Sequence, residues 1–408
     1  MTHLPMTGVR VLEVAQFTFT PAAGAVLAEW GADVVKVEHP VAGDAQRGLR
    51  LGTTSHAEGS FSPIMEHPNR GKRSIGLALD TAAGRAVLLD LARSADVFLT
   101  NFLPDARARL GIDVDDIRSV NPSIIYVRGS AHGPRGPEAA IGGYDATAYW
   151  ARSGGALGVT PPGHDRLLPM PGPAYGDSIG GMTIAGGISA ALFARAQTGE
   201  PSVVDVSLLS TGAWAMGLAI DIALLTGEPM TARATASWGA PTNPLSGSYR
   251  TADDRWITLT MLQPTRYWHD FCRALGREDL PADERWDSGE KLMANAPAAA
   301  EVIADVIGSQ TLAHWCERFA TMDGQWAPVR NAQEAGQDEQ LRANGQIATV
   351  VDAAGNEREL LANPVQFDET SPQLRRAPLF AEHTDEILTE LGHDTEAILQ
   401  LKVDGVVT

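Results

Sequence analysis

The stretch YGDSIGGM, residues 175–182, places one carboxylate, Asp177, among three glycines at the start of a long helical pattern. A carboxylate in such a setting can act as a covalent nucleophile toward an acyl group. The N–H groups of a helix N-terminus favour its ionised form and can hold an oxyanion. Flanking glycines allow the backbone to approach a ligand closely. Asp177 would also suit a helix cap, so the residues alone leave both roles open.

The same octet contains a second candidate nucleophile, Ser178, because G-D-S-I-G matches the G-x-S-x-G elbow of serine hydrolases. That elbow requires a buried strand directly before the serine. Here Pro169, Pro171 and Pro173 precede it, and a central strand does not accommodate them. We therefore expect Ser178 to cap the helix start, with a serine thioesterase as an alternative.

Charge limits the partners of this chain. The net charge is −18, which excludes the basic field that a nucleic-acid partner requires. An anionic small ligand would need a local cluster of cations, and the stretch NRGKRS supplies one with Arg70, Lys72 and Arg73. A basic turn of this kind is also a common solvated surface feature, so both interpretations stay open.

Composition indicates a globular protein of 408 residues, long enough for two hydrophobic cores. The two cysteines are far apart and form no CxxC pair, which predicts neither a disulfide framework nor a zinc site. The sequence shows neither a signal-peptide pattern nor an apolar run of membrane-spanning length. We expect a cytoplasmic protein without a metal and without a membrane partner.

The first 130 residues alternate between apolar runs and helical patterns, which predicts a parallel sheet covered by helices. The predicted strands are VRVLEVA, DVVKVE, DVFLTN and PSIIYVRGS. The G-x-G-x-x-G fingerprint of dinucleotide sites is missing. Ligands of open parallel sheets bind beyond the carboxyl ends of the strands, so QFTFT, EHPVAGD and NFLP should share one rim.

The second half of the chain predicts a smaller α+β domain. SYRTADDRWITLTML reads as a hairpin with Asp253 and Asp254 in its turn, and two amphipathic helical stretches follow. We divide the chain into a large domain (1–225), a small domain with its flanking linker (226–335), and a linker that returns to the large domain (336–408).

Several stretches together resemble the class III CoA-transferases, a group that includes formyl-CoA transferase, carnitine CoA-transferases and α-methylacyl-CoA racemases. The matching stretches are VRVLEVAQ, GADVVKVE, NRGKRSI, ADVFLTNF followed by Arg109-Leu110-Gly111, YGDSIGGM, SYRTADDRW and APLFAEHTDEIL. They are similar in order and spacing along nearly the whole chain. The resemblance implies an α/β fold with a Rossmann-like large domain and a smaller domain, and ring-shaped subunits interlocked in a homodimer.

The resemblance also implies a reaction. The nucleophile of the family falls on Asp177, which would form a mixed anhydride with the donor acyl group and then an aspartyl-CoA thioester. The acceptor carboxylic acid would leave as its CoA ester. The resemblance implies a coenzyme A thioester as substrate. Because the reaction conserves the energy of that thioester, the resemblance implies no tightly bound cofactor and no metal.

Binding residues carry over by position. The implied CoA contacts are Gln16, Phe17, Thr18, His39, Lys72, Asn101, Phe102 and Arg109. His39 stands where formyl-CoA transferase has an arginine. In this register the basic stretch around Lys72 would contact the nucleotide phosphates. Trp150 and Trp238 are candidates for an apolar acyl pocket, although tryptophan is more often a core residue.

A racemase-type isomerase on the same scaffold is the main alternative. The G-H-D motif of the racemases appears here as Gly143-Tyr144-Asp145, so Tyr144 replaces the histidine, and Gly247 falls near the position of their glutamate. A tyrosine with an ordinary pKa of about 10 is a poor acid/base at neutral pH. Tyr144 and Asp145 are therefore predicted to line the substrate pocket of a transferase. The setting of Asp177 argues against a CoA-binding protein without catalysis.

Overall fold

A computed structural model describes residues 4–50, 61–230 and 242–408. The chain forms two compact units. The first comprises Met1–Ala156, Pro169–Gly217 and Glu339–Thr408, and the second comprises Leu157–Leu168 and Leu218–Asp338. Residues 157–168 lie in the predicted large domain, yet they group with the second unit.

The strands, in chain order, are β1 (Arg10–Val14), β2 (Asp33–Glu38), β3 (Arg73–Gly76), β4 (Val97–Thr100), β5 (Ile125–Ser130), β6 (Val203–Ser207), β7 (Ser246–Arg250), β8 (Trp256–Thr260), β9 (Trp326–Pro328), β10 (Ile347–Val351) and β11 (Glu357–Leu361). The α-helices are α1 (Phe19–Glu29), α2 (Pro63–Asn69), α3 (Ala82–Ser94), α4 (Pro104–Leu110), α5 (Val114–Arg118), α6 (Gly155–Val159), α7 (Tyr175–Thr198), α8 (Leu208–Ala215), α9 (Gly217–Thr226), α10 (Pro264–Leu275), α11 (Gly289–Ala294), α12 (Ala296–Ile307), α13 (Leu312–Phe319), α14 (Ala332–Gly336), α15 (Glu339–Ala343), α16 (Thr384–Glu390) and α17 (Thr395–Val403). Short 3₁₀ turns span Ala45–Gly48 and Leu280–Ala282, and a π-helical segment spans Asp145–Ala151.

The first unit contains a six-stranded sheet of order β3-β2-β1-β4-β5-β6, in which every pair is parallel. This confirms the predicted parallel sheet. The strand order reverses between β1 and β4, which creates a crevice at their carboxyl ends. Strand β3 was absent from the prediction, because the charges of NRGKRS obscure the short apolar run that follows.

Both faces of this sheet are buried, as alternation along the strands requires. Val11 of β1 packs into a core with α1 and α7, whereas the next residue, Leu12, packs with α3, α16 and α17 on the other face. The six strands are therefore held between two helical layers, and the loops at their carboxyl ends are fixed by a rigid support.

Two glycines of the YGDSIGGM stretch allow α7 to pack closely on α1. A Cβ atom at Gly180 would lie 2.2 Å from the ring of Phe19, and one at Gly181 would lie 2.5 Å from Ala22. These glycines thus serve helix packing, which corrects the expectation that they let a ligand approach.

Helix α7 is long and apolar enough by composition to span a membrane, as are α8 and α9 taken together, although the chain breaks between them at Met216. The close packing of α7 on α1 is that of a core helix. The apolar stretch over 208–226 therefore forms two helices and not one continuous helix.

The second unit has a three-stranded antiparallel sheet, β7-β8-β9, with α10 to α14. The predicted hairpin is present: Arg250 pairs with Trp256, and Asp254 takes a left-handed conformation in the turn. Aromatic residues fill its core, and Phe271 and Phe319 are fully buried. The hairpin of β10 and β11, in the first unit, was not predicted.

Candidate active site

The loops after β1 and β4 are joined at the crevice in the sheet. The N–H of Gln16 donates to Oδ1 of Asn101 at 3.1 Å, and Nδ2 of Asn101 donates to the carbonyl of Gln16 at 2.7 Å. Phe102 follows and is half-buried, with its carbonyl accepting from Nη1 of Arg107 at 2.7 Å. Three of the predicted CoA residues therefore lie together on the predicted rim.

Phe17 has a backbone conformation that is unusual for its type, with a φ of 64°. Its N–H donates to Oδ1 of Asp44 at 3.1 Å, and Oδ2 of Asp44 lies 2.8 Å from Nζ of the buried Lys36. Thr18 is hydrogen-bonded through its hydroxyl to the side chain of Gln46. A buried ion pair thus holds the loop in its left-handed turn.

Asp177 is the third residue of α7, and its side chain is half-buried. The residue before the helix is Ala174, also in a left-handed conformation with a φ of 57°. Ser178 lies inside the helix, and its hydroxyl bonds back to the carbonyl of Ala174 at 2.8 Å. The prediction that Ser178 caps the helix start is wrong, because the helix begins three residues earlier.

The charge state of Asp177 also differs from the expectation. Burial, with a smaller contribution from the carboxylate of Asp145, raises the pKa of Asp177 to about 7. We expected the helix N-terminus to keep this carboxylate ionised at lower pH, but loss of water and a like charge have the larger effect.

Asp145 lies beside this carboxylate at the start of the π-helical segment and is buried. Its Oδ1 accepts from the N–H of Ala146 at 2.8 Å, while Oδ2 is buried without a hydrogen-bond partner among the described residues. Burial raises the pKa of Asp145, and the backbone amides of Ala146, Gly176 and Asp177 act in the opposite direction. The two acidic groups are thus electrostatically coupled.

Two cavities of the first unit meet at Asp177, and both are also lined by Phe17 and Tyr144, whose rings contact edge to face at 5.7 Å between centroids. The sheet-edge cavity measures about 140 Å³ and lies at the ends of β4 and β5. The apolar cavity measures about 600 Å³ and lies between α2 and the start of α7. Asp177 can therefore face a carbonyl carbon whose two substituents extend into different cavities.

The sheet-edge cavity is lined by Asn101, Phe102, Arg107, Arg128, Gly129 and Ser130, among others. Arg128 forms a two-point ion pair with Asp205 at 2.7 and 2.9 Å. The sequence reasoning did not single out Arg128, although it stands at the end of a predicted strand, where ligands of such sheets bind.

The NRGKRS cluster is neither a solvated turn nor an open anion site. The Lys72 side chain is fully buried, and its Nζ lies within 3.1 Å of four acceptor oxygens, two of them on Glu13. Arg70 pairs with Glu29, and Arg73 pairs with Asp33 and two glutamates of α16. Since Lys72 has no access to solvent, this geometry opposes its predicted contact with phosphate.

The remaining predicted residues lie at the surface or outside the described ranges. Arg109 is exposed on α4, and His39 is exposed with its Nδ1 accepting from the N–H groups of Val41 and Ala42. Trp150 packs against the core beside α7, which is the common role of tryptophan. Trp238 lies outside the described residues.

His67 is a site residue that sequence reasoning missed. Its Nε2 lies 2.8 Å from Oγ of Ser178, and both residues line the apolar cavity. Burial and the charge of Arg70 lower the pKa of His67 to about 4, so the ring is neutral at pH 7. Nothing in the sequence around His67 indicates a partner 111 residues away.

Within the described ranges, no group of three or more His, Cys, Asp or Glu side chains is arranged to hold a metal ion.

Comparison with known proteins gives matches along almost the entire chain. The (R)-2-hydroxy-4-methylpentanoate CoA-transferase of Clostridioides difficile is 30% identical over 403 residues, which cover 98% of this chain and 99% of that protein. The cinnamoyl-CoA:phenyllactate CoA-transferase of Clostridium sporogenes is 31% identical, with 98% and 96% coverage. A CAIB/BAIF family protein from Brucella suis has a crystal structure that matches with a TM-score of 0.81 at 26% identity, over 96% of this chain and all of that one.

The match to the family is equally extensive. CoA-transferase family III matches residues 6–384, which contain the crevice at the sheet, both cavities and Asp177. The relatives above carry transferase names and are similar to this chain from end to end. The chain is therefore an enzyme that belongs to CoA-transferase family III.

Proposed function

We propose that this enzyme is an acyl-CoA:carboxylate CoA-transferase in which Asp177 is the covalent nucleophile. The observation that supports this most directly is the position of Asp177 where the two cavities meet. A thioester whose carbonyl carbon lies against Asp177 can extend its CoA arm into one cavity and its acyl group into the other.

The reaction is proposed to proceed in two half-reactions. The Asp177 carboxylate attacks the thioester carbonyl of the donor, the C–S bond breaks, and an aspartyl mixed anhydride and CoA thiolate result. The thiolate then attacks the aspartyl carbonyl, which releases the donor acid and leaves an aspartyl-CoA thioester. The acceptor carboxylate repeats these two steps in reverse order, forms its own CoA ester and regenerates Asp177.

Neighbouring groups are suited to this chemistry. The backbone N–H groups of Gly176 and Asp177, in the first turn of α7, act on the carboxylate of Asp145 and lower its pKa, so the positive end of this helix lies beside the acidic pair. Asp145 raises the pKa of Asp177, which makes its carboxylate a stronger nucleophile once ionised. Each step conserves the energy of the thioester, so the proposal requires no other energy source.

The hydrogen bonds of Ser178 argue against a serine thioesterase. Its hydroxyl donates to the carbonyl of Ala174, so it must accept from His67, whose Nε2 then carries the proton. A histidine that activates a serine needs an unprotonated Nε2 facing the hydroxyl. Ser178 also lies within a helix, whereas the nucleophile elbow is a turn between strand and helix.

The racemase-type alternative has less support. Tyr144 occupies the place of the racemase histidine and is 61% exposed, with its ring against Phe17. A phenol thus stands where the racemases have an imidazole, so transfer is the better match to these residues.

We also propose the interlocked homodimer that the resemblance implies, in a cytoplasmic setting. Large apolar side chains on α7 and α8 are open in the single chain: Phe193 is 69% exposed and Trp214 is 87% exposed. A second copy of the chain that covers them would remove this unfavourable exposure. Light scattering at low concentration tests the dimer, and a folded, active monomer would contradict it.

The test of the function is a transfer assay. The enzyme is incubated with one acyl-CoA and a panel of free carboxylic acids, hydroxy acids included, and mass spectrometry follows the new acyl-CoA. We expect a new thioester to form while total thioester stays constant. Formation of free CoA without an acceptor, and no new thioester, would instead indicate a hydrolase.

A further inference from the structure

The two cavities that meet at Asp177 differ in size and in the residues that line them. This difference indicates which cavity takes the CoA part of a thioester and which takes its acyl group. The sheet-edge cavity is the smaller of the two, at about 140 Å³, and lies at the strand ends beside Asn101 and Phe102. Both residues are predicted CoA contacts, which favours this cavity for the CoA arm. The apolar cavity, at about 600 Å³, falls in the range of sites that enclose whole small molecules, and it is left for the acyl group.

The wall of the apolar cavity is suited to a bulky apolar chain. Its apolar lining includes Leu49, Pro63, Ile64, Pro68, Met170 and Pro173. Burial of a branched or aromatic substituent against such a wall is favourable in proportion to the area removed from water. The wall alone would not distinguish an acyl group that carries an oxygen from one that does not.

The polar lining of this cavity consists of Thr18, Gln46, Tyr144, the two acidic groups, and the hydrogen-bonded pair of His67 and Ser178. Oγ of Ser178 accepts from Nε2 of His67 at 2.8 Å and donates its proton to the carbonyl of Ala174 at 2.8 Å. A hydroxyl oxygen has two lone pairs, so Ser178 keeps one for a donor in the cavity. Ser178 and Asp177 both line the apolar cavity, so this acceptor and the reacting carboxylate face the same bound acyl group.

We propose that the apolar cavity binds the acyl group of the substrate and that Ser178, oriented by His67, accepts a hydrogen bond from a hydroxyl on that group. The substrate class is a hydroxyacyl-CoA whose hydroxyl is near the thioester and whose far end is branched or aromatic. This inference rests on the proposed function, since it assumes an acyl thioester at Asp177. The described lining of this cavity contains no lysine or arginine to pair with a second carboxylate, so glutaryl-CoA and other dicarboxylic acyl groups should be rejected.

The test compares acyl-CoAs that share one carbon skeleton, 4-methylpentanoyl-CoA and its 2-hydroxy and 3-hydroxy derivatives, with glutaryl-CoA. We expect one hydroxy compound to exceed the deoxy compound in kcat/KM on the order of tenfold, the usual effect of one hydrogen bond in a site. Ser178→Ala should bring that ratio close to one.

Ser189→Ala is the matched control, because Ser189 makes the same bond to the carbonyl four residues earlier in α7, at 2.8 Å, but does not line the cavity. It should keep the wild-type ratio. Equal values for hydroxy and deoxy compounds in the wild type, or a ratio that survives in Ser178→Ala, would overturn the inference.

A second measurement separates this inference from the transferase reaction. Asp177→Asn removes the nucleophile, so dissociation constants of the same acyl-CoAs can be measured by calorimetry without turnover. A preference for the hydroxy compound in Asp177→Asn that is lost in Asp177→Asn with Ser178→Ala supports the inference even if the wild type transfers nothing. Equal dissociation constants in the single variant would overturn it even if transfer occurs.

Discussion

Nζ of Lys72 lies 2.7 Å from Oε2 of Glu13, and both side chains are fully excluded from solvent. Glu13 also accepts from Lys36, which in turn pairs with Asp44, the residue that holds the N–H of Phe17. Lys72 is therefore part of a buried charge network beneath the rim of the site. This differs from the role that its sequence register implied.

Lys72→Ala should destabilise the protein by about 3–5 kcal/mol, because it leaves Glu13 buried with one cation fewer. Denaturant unfolding measures this, and Lys402→Ala, which breaks an exposed pair with Asp385, serves as the control and should change stability little. A Lys72→Ala protein of normal stability with much weaker CoA binding would restore the predicted phosphate contact.

Arg109 is the predicted phosphate contact that remains accessible, since it is exposed on α4. Arg109→Ala should weaken CoA binding and reduce its dependence on salt, because contacts between a guanidinium and phosphate are screened by ions. Arg93→Ala, an exposed arginine on α3, should leave both quantities unchanged. Calorimetric titration at two salt concentrations measures this, and equal behaviour of the two variants would remove Arg109 from the CoA site.

Gly180→Ala should destabilise the protein by about 1–3 kcal/mol, because the added Cβ would lie 2.2 Å from the ring of Phe19. Gly186→Ala in the same helix meets no atom within 4 Å and should be neutral or stabilising by up to about 1 kcal/mol. Thermal unfolding of both variants measures the difference. Equal stability would mean that α7 does not depend on close contact with α1.

The rate of transfer should rise as pH increases through about 7, because Asp177 must lose its proton to act as a nucleophile. Asp145→Asn removes the neighbouring negative charge, so the midpoint of the pH profile should move to lower pH. The midpoint in kcat/KM against pH measures this. A midpoint that stays in place would show that Asp145 does not influence the nucleophile.

The same shift has a consequence for stability with a definite sign. The folded pKa of Asp177 lies above its ordinary value of 3.8, so the folded protein binds the proton more tightly and loses stability as pH rises from about 4 to about 7. Asp177→Asn should therefore unfold at a higher temperature than the wild type at pH 8, and this difference should shrink toward pH 4. A constant difference at both pH values would contradict the raised pKa.

The strands, the rim at their carboxyl ends and the position of the site could be predicted, because each depends on a short stretch of sequence. Four strands of the parallel sheet, β1, β2, β4 and β5, follow from short apolar runs, and the site follows from Asp177 at the start of a helical pattern. The rim at the strand ends follows from the general behaviour of parallel sheets, and the structure joins Gln16 and Asn101 there.

Features that depend on distant partners were missed or misjudged. The glycines around Asp177 looked like a device for ligand approach, but a Cβ atom at Gly176, Gly180 or Gly181 would instead meet Tyr149, Phe19 or Ala22, respectively. Lys72 looked accessible because its carboxylate partner is 59 residues away. Spacing within a motif does not reveal which side of a residue another element will cover.

The central claim, that Asp177 becomes covalently acylated, is tested most directly by mass spectrometry of the protein after incubation with an acyl-CoA alone. We predict an adduct on the peptide that contains Asp177, convertible to a hydroxamate by hydroxylamine, absent in Asp177→Asn and present in Ser178→Ala. An adduct on Ser178, or full transfer activity in Asp177→Asn, would contradict the account.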